Sequence, residues 1–534
     1  MSRQHIVRSV FWLTVSEIIF NISGYIVHSG VGRILGPADY GRYGLVITLT
    51  TMIIVLIGNG IPTAMSKYLS EIFETRPEMV RVIKKQTLLL QIILISLVTL
   101  VFFALAPLIA KALGDTTLTS LFRLSSLIIP AFAAASFYFY YFTGIHRFNI
   151  QAILKTVRSI AKVIFIIGLA YFFKVEGSIA GYIAAPFLVF LIALGIDRFH
   201  TFSIEKKGLG GFFSFLPLWK RGIKGDLKRL DYSKVSQSTR VKNPSLTLPF
   251  KKGENKSFNW KRLLNYAWPI TLFMLFYEIM ISIDLYMVKA LLHNDYLTGI
   301  YNGALTVGRI PYYLFYALTI VLLPTISKTT SQNQTKETAK IINQTIRLLL
   351  LFLFPGVVLM AIFAKPIITL FYGCDYIQAV YPMQILVFGV GFLTIFYVLS
   401  FALNGAGKVK APMWIAFFGA VLNSFLNYFL ITRFALTGAA VSTTITSLFT
   451  MIAAFYLIKK HFGVSIKTKG IAKISLATLA LYIASFYFPD PNYLFVIWAL
   501  ILFLFYGLIL YILGELKRSD INLLLSAIRK NKKS

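Results

Sequence analysis

Cysteine is nearly absent. Cys374 is the single one among 534 residues, which excludes an intrachain disulfide and a cysteine-based metal site. The six histidines are dispersed without ligand spacing, so no metal centre is expected. No G-x-x-x-x-G-K-S/T loop is present, which argues against ATP hydrolysis by this chain. No small-residue cleavage site follows the basic start at Arg3 and Arg8, so the first apolar stretch reads as an uncleaved span. Acidic residues are also scarce, 20 against 53 Lys and Arg.

What is abundant is apolar surface. The chain is 57% hydrophobic with a mean hydropathy of +0.73, beyond the roughly 45–50% of soluble globules. Long continuous apolar runs match the ~20 residues that carry a helix across a bilayer. They exclude a barrel, which needs short alternating strands. Fourteen spans are expected, near 9–30, 43–64, 87–110, 122–144, 157–173, 178–197, 264–289, 298–323, 345–364, 382–403, 411–432, 436–458, 471–488 and 493–514.

The net charge of +33 is explained by its placement. The N-terminus, 65–86, 145–156, 198–263, 324–344, 404–410, 459–470 and the C-terminus carry most of the basic residues. The alternate connections hold at most two each. The positive-inside rule makes the first set cytoplasmic, with both termini inside. The charge is therefore topology and lipid attraction, not nucleic-acid binding.

The apolar part repeats. Gly41 and Tyr43 return as Gly299 and Tyr301 at an offset of 258. Pro107 and Gly114 return as Pro366 and Gly373 at 259, and Gly144 and Gly177 as Gly405 and Gly438 at 261. Six spans per copy return the chain to its starting side, so the pseudo-two-fold axis should run along the membrane normal. The expected organisation is a six-helix lobe over 1–198, a basic cytoplasmic linker over 199–262, a second six-helix lobe over 263–460, and two extra helices with a basic tail over 461–534. The linker holds 15 Lys/Arg and 4 Asp/Glu, with the similar stretches Pro217–Gly222 and Pro249–Gly253. It reads as poorly ordered linker or late insertion, with a partner-docking or lipid-surface segment as the alternative.

Four stretches carry a family resemblance: Gly32 to Tyr43, Gly299 to Ala304, Leu370 to Tyr376, and Leu403 through Asn423 and Asn427 to Ala440. With the span pattern, they resemble the polysaccharide flippase family of the multidrug/oligosaccharidyl-lipid/polysaccharide exporter superfamily. The resemblance implies an all-α bacterial or archaeal cytoplasmic-membrane protein. It implies outward flipping of polyprenyl-diphosphate-linked oligosaccharide by alternating access between two lobes. Membrane lipids and that substrate are the implied partners, with a polysaccharide polymerase or glycosyltransferases alongside and a monomeric state. No cofactor is implied beyond coupling to a proton or sodium gradient. A multidrug or cation antiporter and a peptidoglycan-precursor flippase remain open alternatives. A membrane glycosyltransferase or polymerase is disfavoured, because each outward connection is short and holds at most one carboxylate.

Ionisable side chains at membrane depth are costly and should face a cavity or a partner. The candidates are Glu17 with Asn21 one turn on, Lys162, Glu278 and Asp284 in span seven, Arg309 in span eight, and the Asn423/Asn427 pair. The resemblance puts spans one, seven and eight at the lobe interface. A diphosphate there needs cationic donors, and the arginine fork suits it. Arg309 is the leading contact, with neutralisation of Glu17, Glu278 or Asp284 as its alternative. Those three carboxylates are ion-coupling candidates, or position Arg309 or sugars, or simply bridge helices. Asn423 and Asn427 fit interhelical bonding or sugar recognition. Arg33 and Arg42 are outer-gate candidates, with solvated loop charges as the alternative. The Phe137–Phe142 aromatic run is expected to form an interfacial belt, with sugar stacking as the alternative.

Overall fold

The structure is a computed structural model that describes residues 3–58, 60–72, 78–205, 260–332, 334–464, 468–487 and 494–516. Most of the 199–262 stretch, including both proline-led repeats, and the basic tail from 517 lie outside the described residues. The described residues are helical, with no strand among them.

Helix α1 spans Arg3–Gly58, α2 Gly60–Ile72, α3 Glu78–Ala112, α4 Leu118–Ser126, α5 Ile128–Gly144 and α6 Phe148–Glu205. In the second repeat α7 spans Trp260–Leu292, α8 Asp295–Gly308, α9 Ile310–Ser331, α10 Thr335–Ile362 and α11 Ala364–Tyr372. A 3-10 turn over Cys374–Ala379 leads into α12, Val380–Gly405, and α13, Lys410–Phe462. Outside the repeats lie α14, Thr468–Ser485, and α15, Phe495–Ile512.

Nine of the described helical segments are long and apolar enough to cross a membrane. Three of those nine break in the middle, at Gly36, at Phe173–Lys174 and at Ala435, so each supplies two crossings. The α8–α9 pair and α14 supply the remaining two of fourteen. The breaks have local causes. Gly36 takes φ 72°, and Pro37 has no N–H to continue the ladder. Lys174 (φ 48°, ψ −125°) and Ala435 (φ 47°, ψ −127°) adopt one backbone conformation at an offset of 261, so the duplication extends to the dihedral angles.

Burial is inverted relative to a soluble bundle. Leu100 and Leu108 of α3 are 67% and 68% exposed, while Asp284, Asn423 and Asn427 are fully buried. Lipid tails take the place of water around the outer leucines, and the polar groups satisfy one another inside. The described residues of 1–190 and 266–534 form one compact unit.

The aromatic run departs from expectation. Phe137, Tyr138, Phe139 and Phe142 are buried, and Lys84 Nζ stands 4.3 Å from the Tyr141 ring centroid. Packing of α5 against its neighbours within the first repeat takes these rings, so they are core and not belt.

Candidate functional site

Three groups of polar residues emerge from this packing. The first is a cationic strip inside the first repeat. Lys155, Arg158 and Lys162 are spaced by three and four residues, so α6 presents them on one face. Lys155 forms an ion pair with Glu17 of α1. Arg158 lies over Phe132 of α5 at 4.3 Å from the ring centroid and over Phe20 of α1 at 5.2 Å. Lys162 lies 5.4 Å from the Phe20 ring and 5.5 Å from Tyr182 beyond the α6 break. Aromatic faces stabilise these cations without neutralising them. Among the described residues the strip pairs with one carboxylate, Glu17, so it keeps excess positive charge. Asn21, one turn beyond Glu17, is half-buried.

Lys155 and Arg158 were not among the sequence candidates. They fall where a loop was expected to give way to span five, and α6 begins earlier, at Phe148. Their three-and-four spacing to Lys162 was the available signal.

Arg309 sits at the junction between α8 and α9, where it caps the former. Its Nη2 donates to the Ile281 carbonyl of α7, with Ser282 Oγ at 3.5 Å. No carboxylate is within ion-pair distance of Arg309 among the described residues, though its charge acts on Glu278 and Asp284 from farther off. Glu278 is half-buried, with no hydrogen-bond or ion-pair partner among the described residues.

The second group lies within the second repeat. Asp284 Oδ2 accepts from Tyr301 Oη at 2.7 Å and from Thr443 Oγ1 at 3.0 Å, while Oδ1 accepts from the Leu285 N–H at 2.8 Å. Asn423 Nδ2 donates to the Met280 carbonyl at 2.7 Å, and Asn427 Nδ2 to Asn423 Oδ1 at 3.0 Å. The pair thus ties α13 to α7. Asn427 Oδ1 is buried and accepts nothing among the described residues. The three carboxylate candidates are not brought together: Glu17 belongs to the first group, Asp284 to the second, and Glu278 to neither. No cluster of three metal-ligating side chains exists among the described residues.

The third group joins the repeats at the end that bears the α3–α4 loop. Lys289 of α7 is the centre, with Nζ 3.0 Å from Asp115 Oδ2 and bonded to Asp295 Oδ1 at 2.5 Å. Arg42 of α1 reaches Asp295 Oδ2 at 2.8 Å. Arg33 donates to the carbonyls that end α11, Nε to Phe371 at 3.1 Å and Nη2 to Leu370 at 2.5 Å. Ser29 Oγ bonds the Phe371 carbonyl at 2.5 Å, and Tyr376 Oη the Gly32 carbonyl at 2.9 Å. Tyr40 Oη lies 3.0 Å from both His28 Nδ1 and Tyr372 Oη. Arg33, which is exposed, and Arg42, which is half-buried, are therefore bonded across the repeats.

Burial disfavours the Asp115 carboxylate, but hydrogen bonds from Thr117 and Lys289 and the charge of Lys289 outweigh it. The carboxyl is held below its usual range.

A duplicated, fourteen-span helical bundle with polar groups inside each half defines a multi-pass membrane transport protein. Comparisons narrow the class. Residues 6–220 match the family described as polysaccharide biosynthesis protein, and residues 269–429 match MatE. The chain belongs to the multidrug/oligosaccharidyl-lipid/polysaccharide exporter superfamily, and its relatives named MurJ and MATE are flippases and transporters and not enzymes. It is 25% identical over 460 residues to an uncharacterized membrane protein of Methanocaldococcus jannaschii, covering 84% of this chain and 98% of that one. It is 24% identical over 494 residues to the lipid II flippase MurJ of Bacillus subtilis, covering 86% and 84%. A solved lipid II flippase MurJ in an inward closed conformation shares the fold, with TM-score 0.67 and 18% identity over 94% of this chain and 98% of that one. An inward-facing MATE transporter shares it with TM-score 0.60 and 13% identity, over 88% and 98%.

Proposed function

We propose that this protein is a flippase that carries a polyprenyl-diphosphate-linked oligosaccharide from the cytoplasmic to the outer leaflet, for surface polysaccharide assembly. In this reading 1–198 and 263–460 are the moving lobes, joined by 199–262, and 461–534 is an appended pair of helices with its tail. The termini are cytoplasmic, as the charge asymmetry suggests.

The observation that carries the reading is the strip Lys155–Arg158–Lys162, with its one paired carboxylate. An anionic headgroup is drawn to such a surface, and an organic cation is repelled by it. This favours a diphosphate-linked cargo over the antiporter alternative. Arg158 supplies a planar fork for two phosphate oxygens, and the lysines supply point charges. Arg309, without a carboxylate ion pair, can add a donor from the second lobe. The names of the flippase relatives and of the polysaccharide biosynthesis family agree with this chemistry.

In this reading the contacts of Lys289, Arg42 and Arg33 across the repeats are the outer gate. Opening there while the opposite end closes would complete alternating access. The Asp284 group, with its unbonded Asn427 oxygen, is the place where a proton or sodium ion would couple to that movement.

The test is a flipping assay in proteoliposomes with a polyprenyl-diphosphate oligosaccharide, comparing wild type with the Arg158→Ala/Lys162→Ala variant. Transport by the wild type that collapses in a folded variant supports the reading. Failure to flip such lipids, with export of small organic cations instead, overturns it.

A further inference from the structure

Where α10 and α14 begin and α13 ends, a cavity of about 750 Å³ opens toward Glu515, three residues beyond α15. Lys336, Lys340, Arg347, Lys469 and Lys473 line it, against one carboxylate, Glu515. That carboxylate is already engaged, since Arg347 Nε donates to Glu515 Oε1 at 2.8 Å and Arg347 Nη2 to the Glu515 carbonyl at 2.6 Å. Lys473 Nζ donates to the Leu513 carbonyl at 2.6 Å, which fixes the ammonium in the wall and leaves its charge unbalanced. Lys340 meets Glu337 at 3.9 Å with both side chains more than half exposed, a contact that neutralises little. The cavity therefore has a strongly positive rim.

The remaining wall is apolar. Leu350 and Ile474 are buried and line the cavity together with Ile471. A soluble anion would use the rim alone. A molecule with a phosphate head and a hydrocarbon chain uses both surfaces. The connections that form this rim, 324–344 and 459–470, are among the basic set that the charge asymmetry assigns to the cytoplasmic face. Anionic lipids are concentrated at that face.

We propose that this cavity is a binding site for an anionic phospholipid. Its phosphate is held by Lys336, Lys340 and Lys469, and its chain lies along Leu350 and Ile474. The bound lipid fastens the appended α14–α15 pair to α10. The site stands apart from the cationic strip on α6 and does not depend on what that strip carries.

The experiment is a titration of the purified full-length protein, delipidated in detergent, with phosphatidylglycerol or phosphatidylcholine, read by native mass spectrometry. The expected result is selective retention of phosphatidylglycerol. A Lys336→Gln/Lys340→Gln/Lys469→Gln variant should bind it on the order of a hundredfold more weakly. The corresponding triple arginine variant, which keeps the charge, should bind as the wild type does and shows that the fold tolerates change at these positions. Equal retention of phosphatidylglycerol by the glutamine variant and the wild type overturns the site. So does loss of binding in the arginine variant. Full displacement of the lipid by inorganic phosphate at matched concentration overturns the lipid assignment, because the apolar wall would then contribute nothing.

Discussion

Gly41 and Gly299 are repeat mates, and they meet: a β-carbon built on Gly299 would stand 1.6 Å from the Pro37 carbonyl oxygen, and one on Gly41 would stand 2.7 Å from the Gly299 nitrogen. The two repeats thus touch backbone to backbone at the end that bears the α3–α4 loop. A side chain on either residue has to push them apart. Gly299→Ala should cost the closed state about 1–3 kcal/mol and shift the population toward an opened outer end. Spin labels at Ile34→Cys and Leu370→Cys, in a background where the exposed Cys374 is replaced by Ser, read the separation. An unchanged distance distribution in Gly299→Ala would show that the contact does not hold the gate.

The same glycines illustrate how much the sequence discloses. The offset near 258–261 and the alternation of charge give the span count, the duplication and the appended helices, because bilayer thickness and backbone satisfaction leave few alternatives. Two features of the interior are less legible. Lys155 falls in the expected 145–156 connection until α6 is seen to begin at Phe148, and Arg158, at the start of span five, joins it on one face only through the helix that runs through both. Tyr301 and Thr443 become partners of Asp284 only because α8 and the second half of α13 converge on α7. Helix rotation is set by packing between distant segments, and hydropathy carries little of that information.

The Lys289 network should respond to both mutation and acid. Lys289→Met leaves Asp115 and Asp295 without their shared cation, at a cost of roughly 3 kcal/mol. Asp115 is held below its ordinary carboxyl value, so its contribution is present above the unfolded pKa of about 3.9. It is lost as pH falls through the lower, folded value. Thermal unfolding in detergent should therefore show a fall in Tm below about pH 4. Asp115→Asn should melt lower than wild type at neutral pH and decline less on acidification. Parallel acid profiles for the two proteins would remove Asp115 from the account.

Within the strip, charge and shape should separate. Arg158→Lys keeps the cation and loses the fork, so it should retain part of the flipping rate. Arg158→Ala should lose tenfold or more, about the 1.5–3 kcal/mol of one charge-assisted hydrogen bond. Both are read by initial rates in proteoliposomes alongside melting curves. Equal rates for all three proteins would assign Arg158 to packing over Phe132 and Phe20.

Asp284 supplies the prediction for coupling. Asp284→Asn keeps the shape and most of the bonding to Tyr301 and Thr443 but removes the charge. If a proton or sodium ion drives the cycle here, transport by the variant should no longer respond to an imposed ion gradient. Thr443→Val, which removes one of the bonds to Asp284, should weaken that response with a smaller effect. Measuring rates with and without each gradient distinguishes the ions, and a wild-type gradient response in Asp284→Asn would move coupling elsewhere, with Glu278 the next candidate.

The paired breaks in α6 and α13 offer a stability test that is independent of transport. Lys174 and Ala435 hold φ near +48° with ψ near −126°, a region that disfavours any residue with a β-carbon. Glycine removes that penalty, so Lys174→Gly and Ala435→Gly should each stabilise the protein by about 1 kcal/mol. Three residues on, the demand is reversed. A β-carbon on Gly177 would stand 2.0 Å from the Leu169 carbonyl oxygen, and one on Gly438 would stand 2.0 Å from that of Leu430. Gly177→Ala and Gly438→Ala should therefore destabilise by several kcal/mol, because backbone and not a flexible side chain has to yield. Melting temperatures of the four variants decide the matter, and the two repeats should respond alike because their turns share one geometry. A large difference between Lys174→Gly and Ala435→Gly would mean that the surroundings of each turn, and not the shared dihedral angles, set its stability.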